Sequence, residues 1–301
     1  MSLDRASLHG FVPAIVTPFT PDGEIMEDAF REVARRLLAI GASGICIAGD
    51  NGESWTLGIE ERKRLTRIAV EEVGSRIPII MGASAPGSAQ TIAYARAAQE
   101  SGAAGVLVMP QPYVLKATRT ELLRRYEALA KAVDLPIIAY NTPRRSGIEL
   151  SVDDIGAICD AAPIIGIKES HRDFFHHTHL LHRYGDRISV MTGPSHFILP
   201  CAALGARGFI ATGPELLGKD AGRLIAVGQG PGDATYRDLH WKLTVIYQAL
   251  MGTGTWPASL KAALNLLGWP AGVPRDPVMP LEPAALDKLR RTLDELGLLP
   301  G

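Results

Sequence analysis

The chain has 301 residues, 47% of them hydrophobic, with 31 basic and 32 acidic side chains and a formal net charge of -1. A chain of this length buries a large core, and one α/β barrel of about 250 residues with an extension fits it as well as two domains do. Balanced charge without like-sign runs gives no bulk attraction to nucleic acid or an anionic membrane, so the expected partner is a small molecule.

No run of about 18 apolar residues is present to cross a bilayer, and Met1-Ser2-Leu3-Asp4-Arg5 lacks the apolar stretch of a signal peptide. Cys46, Cys159 and Cys201 are odd in number, far apart and without a CxxC pair. They read as reduced, buried hydrophobes of a cytoplasmic protein with neither disulfide framework nor metal site.

Taken in order, short apolar runs alternate with segments of helical period up to about residue 226, the pattern of parallel βαβ units. The runs are 12–17, 44–48, 78–81, 105–109, 136–140, 164–168, 188–191 and 208–211. Between them lie helical stretches such as 26–40, whose Phe30, Val33, Leu37 and Ile40 share one stripe, and 60–73. Pro78 and Pro136 fall at first strand positions, and Gly41, Gly102 and Gly205 fall where a left-handed helix C-cap wants glycine. Eight such pairs close into a (β/α)8 TIM barrel.

Thr192-Gly193-Pro194 and Thr212-Gly213-Pro214 echo each other just after their strands, which places them on equivalent loops of one barrel face. After the Gly-rich joint at 228–233 three helical segments follow, near 235–251, 258–267 and 282–296. The expected division is a barrel over 1–227 and a C-terminal helical extension over 228–301, with 270–280 as a surface connection.

In a TIM barrel the chemistry sits at the C-terminal ends of the strands. The sixth run, Pro163-Ile164-Ile165-Gly166-Ile167, stops on Lys168. A lysine set against an apolar strand is partly desolvated, which favours the free amine, a nucleophile toward a carbonyl carbon. The bland alternative is a surface lysine paired with Glu169. Tyr140 ends the neighbouring fifth run, within reach of the Lys168 amine for proton transfer, or else it is a core tyrosine bonded to backbone.

The second run leads into Gly49-Asp50-Asn51-Gly52-Glu53, whose glycines allow positive φ and whose exposed N–H groups suit a carboxylate. Thr17-Pro18-Phe19 ends the first run, and Arg145 follows the fifth, where it could grip a distal acid. His171, His176, His177, His179 and His182 crowd the helix after the sixth run, without a carboxylate at ligand spacing, and read as a solvated face.

Thr17-Pro18-Phe19, Gly49-x-x-Gly52-Glu53, Tyr140-Asn141-x-Pro143-x-x-x-Gly147, Gly166-Ile167-Lys168-Glu169 and Lys261-Ala262-Ala263-Leu264-x-x-Leu267-Gly268 follow one another in this order. The ordered set resembles the dihydrodipicolinate synthase / N-acetylneuraminate lyase group of class I aldolases and dehydratases, over nearly the whole chain. The resemblance implies a lyase without a separate cofactor, in which Lys168 forms a Schiff base with a 2-keto acid and Tyr140 carries protons. It implies that Asp50, Asn51 and Gly52 bind the substrate carboxylate, with Thr17, Arg145 and Gly193 also at the substrate, and that the protein is a homo-oligomer, a dimer or tetramer.

Two departures stand out. Where the family carries Thr-Thr or Ser-Thr between the glycines, this chain has Asp50-Asn51. Three arrangements are open: Asp50 turned away while backbone N–H groups and the Asn51 amide take the acid, a protonated Asp50, or Asp50 as general acid/base for a different substrate. The family's synthases also lend a second tyrosine across the subunit interface from a Pro-Tyr-Tyr stretch, whereas this chain reads Gln111-Pro112-Tyr113-Val114. The expected function is retro-aldol cleavage or condensation, or dehydration of a 3-deoxy-2-keto sugar acid, rather than dihydrodipicolinate synthesis. The rival is a non-catalytic keto-acid-binding barrel with a regulatory role.

Overall fold

A computed structural model describes residues 3–114 and 116–300; Met1 and Ser2, where the signal-peptide reading begins, lie outside them. Eight strands form one parallel sheet: β1 Gly10–Phe11, β2 Ile45–Ile47, β3 Ile79–Gly82, β4 Gly105–Val108, β5 Ile137–Asn141, β6 Ile164–Glu169, β7 Ser189–Thr192 and β8 Gly208–Phe209. Hydrogen-bonded neighbours run β1-β8-β7-β6-β5-β4-β3-β2, and a bridge from Ala14 to Cys46 joins the two ends. The sheet is thus a closed TIM barrel, as the alternation of apolar runs and helices predicts.

The outer helices are α1 Glu27–Ala39, α2 Ile59–Val73, α3 Ser88–Glu100, α4 Arg119–Ala132, a single turn α5 Pro143–Ser146, α6 Val152–Ala161, α7 Phe174–Tyr184, α8 Ile198–Ala203 and α9 Leu224–Gly228. Their starts follow local chemistry. The Thr118 hydroxyl accepts from the Glu121 N–H while the Glu121 carboxylate accepts from the Thr118 N–H at 2.7 Å, a reciprocal cap that opens α4. Gly41, Gly102 and Gly205 take φ of 98°, 82° and 100°, the left-handed caps expected of them.

The first strand is the one misplaced element. The run 12–17 was expected to form it, yet the regular ladder covers only Gly10–Phe11. Pro13 has no N–H to donate, so the chain beyond Phe11 pairs through isolated bonds, such as Cys46 N–H to Pro13 O and Ile15 N–H to Cys46 O.

Strand alternation divides the core. Ile138 and Tyr140 on β5 join Cys46, Ile80, Leu107 and Met191 inside the barrel, whereas Ile137 and Ala139 point outward to the helices. The same rule sends Lys168 inward, and β5 and β6 are in register with Tyr140 opposite Lys168.

The chain then adds α10 Ala234–Gly252, α11 Ala258–Leu266 and α12 Pro283–Glu295. Leu239, Leu243, Ile246 and Leu260 pack in one cluster with Phe11, Ile15 and Phe30, so these helices share the barrel's outer core. No helix among the described residues is long and apolar enough to cross a membrane.

Behind the loop after β8, Glu215 is buried with its carboxylate accepting the Gly213 N–H at 3.0 Å, and burial pushes its pKa up to about 7 from an ordinary 4.5. The fold therefore favours the neutral acid. Its stability declines as pH rises from the unfolded value toward about 7 and levels off above it. Glu215→Gln should remove this decline, gaining on the order of 3 kcal/mol over wild type at pH 8 but little at pH 4.5, as read from urea unfolding at both pH values. Equal effects at both pH values would refute it.

Candidate active site

Lys168 is 7% exposed and lies at the floor of a cavity of about 340 Å³ at the C-terminal end of the barrel. Burial lowers its pKa from the ordinary lysine value, against the opposing pull of the Asp50 charge, and so raises the share of neutral amine. Its Nζ stands 4.3 Å from the ring centroid of Tyr140. The bland reading of a surface lysine paired with Glu169 fails, because Glu169 points to the opposite side of β6.

Tyr140 is 5% exposed and its phenol donates to Asp50 Oδ2 at 3.1 Å. Burial, and then the neighbouring Asp50 charge, push the phenol well above its ordinary pKa, so it rests as O–H and not as phenolate.

Asp50 itself lines the cavity and faces Tyr140, which excludes the arrangement in which it turns away. The Arg145 Nε lies 3.5 Å from the same Oδ2, and the guanidinium sits over the Trp55 ring at 5.8 Å. Arg145, expected as the grip for a distal acid, thus serves first as counter-ion to Asp50.

Asn51 also lines the cavity, with Nδ2 donating to Ala14 O at 3.0 Å and Oδ1 accepting from the Thr212 hydroxyl at 2.9 Å. One of the two Nδ2 protons is thus engaged, and the other is left as the donor envisaged from the sequence. Among the described residues no acceptor takes the Asn51 backbone N–H, which leaves that donor for a ligand.

Two expected binding residues lie beneath the cavity wall. The Thr17 hydroxyl donates to Gly52 O at 2.9 Å, and Thr17 is 1% exposed. Gly52 is required by close approach, since a Cβ there would meet Ile15 O at 2.9 Å. Both hold the loop from below. The positive φ expected of the loop's glycines falls instead on Ala48 at 50° and Glu53 at 55°. Gly193 does line the cavity, and a Cβ on it would stand 2.0 Å from the Ser170 hydroxyl.

Glu53 has a structural task that the sequence motif did not reveal. Its carboxylate, 0% exposed, meets Lys261 Nζ of α11 at 2.5 Å and accepts the Arg275 N–H at 2.9 Å. Burial pulls the Lys261 ammonium down to about 8, against the charge of Glu53. Lys261 Nζ and the Arg275 guanidinium lie over the Phe19 ring, at 4.5 and 4.1 Å. The segment 270–280 is accordingly more than a surface connection: Ala271 is fully buried, and Arg275 also binds Gly23 O, Thr56 O and Glu61.

The histidine face likewise differs from expectation. His176 is 9% exposed and His177 fully buried, while His179 and His182 alone keep the solvated character. Glu169 holds the first of them: its carboxylate accepts from Asn141 at 3.0 Å and from the His171 N–H at 2.7 Å, and pairs with His176 Nε2 at 3.1 Å, while His177 bonds the His171 carbonyl at 2.8 Å. Burial alone would lower the His176 pKa, but the bond to Glu169 and its charge outweigh that and raise it. Among the described residues no cluster of three or more His, Cys, Asp or Glu is arranged to hold a metal ion.

Residues missed from sequence complete the wall: Thr142, Arg144, Ser170, Arg172 and Thr212 from the barrel loops, and Tyr247 from α10. Thr212 was signalled by the Thr-Gly-Pro echo. Tyr247 had no signal, because its helix belongs to the extension.

The family model for the dihydrodipicolinate synthetase family matches residues 7–296. The chain belongs to that family. It is 33% identical over 292 residues to the 4-hydroxy-tetrahydrodipicolinate synthase of Syntrophobacter fumaroxidans, covering 97% of this chain and 99% of that one. It is also 33% identical to the enzyme of the same name from Thermus thermophilus, covering 97% of each chain. Among solved structures, the chloride-inhibited dihydrodipicolinate synthase of Acinetobacter baumannii, complexed with pyruvate, superposes with a TM-score of 0.91 at 28% identity, covering 97% of this chain and 100% of that one. A prophage protein of the family from E. coli K12, also in complex with pyruvate, gives 0.90 at 28% identity, covering 97% and 99%. The dihydrodipicolinate synthetase family is one of class I lyases that work through a Schiff base on a lysine with no further cofactor, and this chain is a lyase of that kind.

The Glu53–Lys261 pair gives a direct test of how the family's Gly-x-x-Gly-Glu loop is held. Lys261→Met should cost about 3–5 kcal/mol in urea unfolding, because it leaves a carboxylate buried and unpaired. Lys261→Met with Glu53→Gln should recover part of that loss. A cost below about 1 kcal/mol for the single change would show the pair to be incidental.

Proposed function

We propose that this lyase forms an imine between Lys168 and a 2-keto acid, and then cleaves or forms a C–C bond by aldol chemistry or removes water from a 3-deoxy-2-keto sugar acid. The observation that carries the reading is a desolvated amine set 4.3 Å from the ring of a tyrosine whose phenol has a carboxylate acceptor. The neutral amine attacks the keto carbon, and the hydroxyl of the resulting carbinolamine leaves as water once protonated. The imine nitrogen, now positive, draws electrons from C3, so that a bond at C3 can break to give an enamine. The Asn51 backbone N–H and the second proton of its side-chain amide are the donors assigned to the keto-acid carboxylate. Tyr140 carries the protons.

The second substrate, or the far end of a longer one, meets a wall that includes Arg144, Arg145 and Arg172. This favours a polyhydroxylated or acidic group. The relatives named above are 4-hydroxy-tetrahydrodipicolinate synthases, but Asp50 stands where such enzymes usually carry a threonine or serine hydroxyl, and we read this chain as a lyase with a different second substrate. A purely binding barrel has no use for an amine and a phenol so placed.

The barrel 1–227 carries Lys168 and Tyr140, and the extension 228–301 contributes Tyr247 to the wall. Tyr113, 90% exposed and held at φ 75°, is a strained aromatic outside its own cavity. Burial against a second copy of the chain accounts for both properties, and a homodimer or homotetramer in the cytoplasm is the corresponding assembly. Three buried free cysteines suit that reducing compartment.

Borohydride reduction in the presence of pyruvate, and separately of longer 2-keto acids, should add the reduced keto acid's mass to the peptide containing Lys168. Lys168→Ala should give neither adduct nor turnover. An unmodified wild-type Lys168 with every acid, or residual turnover in Lys168→Ala above about a thousandth of wild type, would overturn the proposal.

A further inference from the structure

Asp50 is an acid on the wall of a cavity whose substrate is itself an acid. Its surroundings define what it can do. Oδ2 accepts the Tyr140 phenol at 3.1 Å and lies 3.5 Å from Arg145 Nε, so its charge is balanced by Arg145. The Asp50 charge is near enough to Lys168 to oppose in part the loss of its proton.

Tyr140 rests as a buried neutral phenol. A phenol in that state accepts a proton only by giving up its own in the same event, and its bonded acceptor in the structure is Asp50 Oδ2. From this geometry we infer that Asp50 is the end of the proton relay: Tyr140 takes the substrate proton while its own proton passes to Asp50, within one subunit. The inference rests on the Schiff-base reading of Lys168 and deepens it.

The step balances without another reactant. On the Lys168 imine of a keto acid, the C3–H bond breaks, its electron pair forms the C2–C3 double bond, and the imine nitrogen becomes the neutral enamine nitrogen. The proton goes to the Tyr140 oxygen and the phenolic proton to Asp50 Oδ2. In retro-aldol cleavage the same relay takes the proton of the substrate hydroxyl while the C–C electron pair forms the enamine. The reverse transfer returns the proton to carbon. A hydroxyl in place of Asp50 could pass a proton along but could not keep one, so the carboxylate makes Tyr140 a self-sufficient acid/base. Arg145 keeps the carboxylate in place as the charge alternates.

Two readouts separate this role from a structural one. With pyruvate as probe in D2O, NMR follows exchange of the methyl protons, which needs both the imine and the relay. Borohydride trapping at equilibrium reports the imine on Lys168 alone. Asp50→Asn should trap on Lys168 to the wild-type extent while exchange slows by about 10²-fold or more, and Tyr140→Phe should behave alike. The double variant should be no slower than either single one, since both interrupt one path. Asp50→Ala serves the same comparison should the asparagine variant not fold. Asp50→Glu should restore exchange to within about tenfold of wild type.

Exchange in Asp50→Asn within threefold of wild type would overturn the relay. So would multiplicative losses in the double variant, or trapping and exchange lost in equal measure, which is the mark of a structural or substrate-holding Asp50. A wild type that forms no adduct with pyruvate or with any longer 2-keto acid would overturn the Schiff-base reading and the relay with it, whereas an intact adduct with unaltered exchange removes the relay alone.

Discussion

The desolvation of one amine governs this structure. Lys168 points inward because β6 alternates faces, and the closed barrel gives it apolar neighbours such as Cys46 of β2, Met191 of β7 and Ile210 just beyond β8. An ammonium there loses its hydration, while a neutral amine loses little. The fold thereby prepares the nucleophile before any substrate arrives. Tyr140, fixed opposite Lys168 by the β5–β6 register, meets the same apolar wall and stays a neutral phenol.

Two charges so close to a buried amine would be costly if left alone, and the chain disposes of each separately. Asp50 is paired with Arg145 and bonded to Tyr140, whereas Glu53, three residues on, is turned away from the cavity into the Lys261 and Arg275 clamp. The left-handed residues Ala48 and Glu53 mark where the loop after β2 reverses between these two directions. The loop is therefore shaped from both sides, by Thr17 beneath it and by α11 behind it. Behind β6, Glu169 plays a comparable part, tying Asn141 of β5 to His176 of α7.

The strands and helices were legible because both periods, two and 3.6, are written in apolar residues: seven of the eight apolar runs overlap their strands, and the helices from Glu27 and Ile59 match the striped segments. Lys168 and Tyr140 could be picked out because each closes such a run. What escaped depends on long-range geometry. Pro13 cuts the first ladder in a way that its apolar neighbours conceal. Glu53 looks like part of a binding loop until α11 is brought against it. His176 and His177 look like a polar face until Glu169 and Cys201 are seen behind them. Tyr247 reaches the cavity only because α10 folds back across the barrel mouth.

The central claim is that burial in the barrel lowers the pKa of Lys168 and so raises its share of neutral amine. Competitive acetylation of the folded protein over a pH series, quantified for the Lys168 peptide by mass spectrometry, measures its titration directly. The account predicts a midpoint clearly below the usual lysine value of about 10.4, with loss of that depression on unfolding. A midpoint at or above that value would contradict it, since the amine would then be a charged group held by its neighbours and not a nucleophile made by burial.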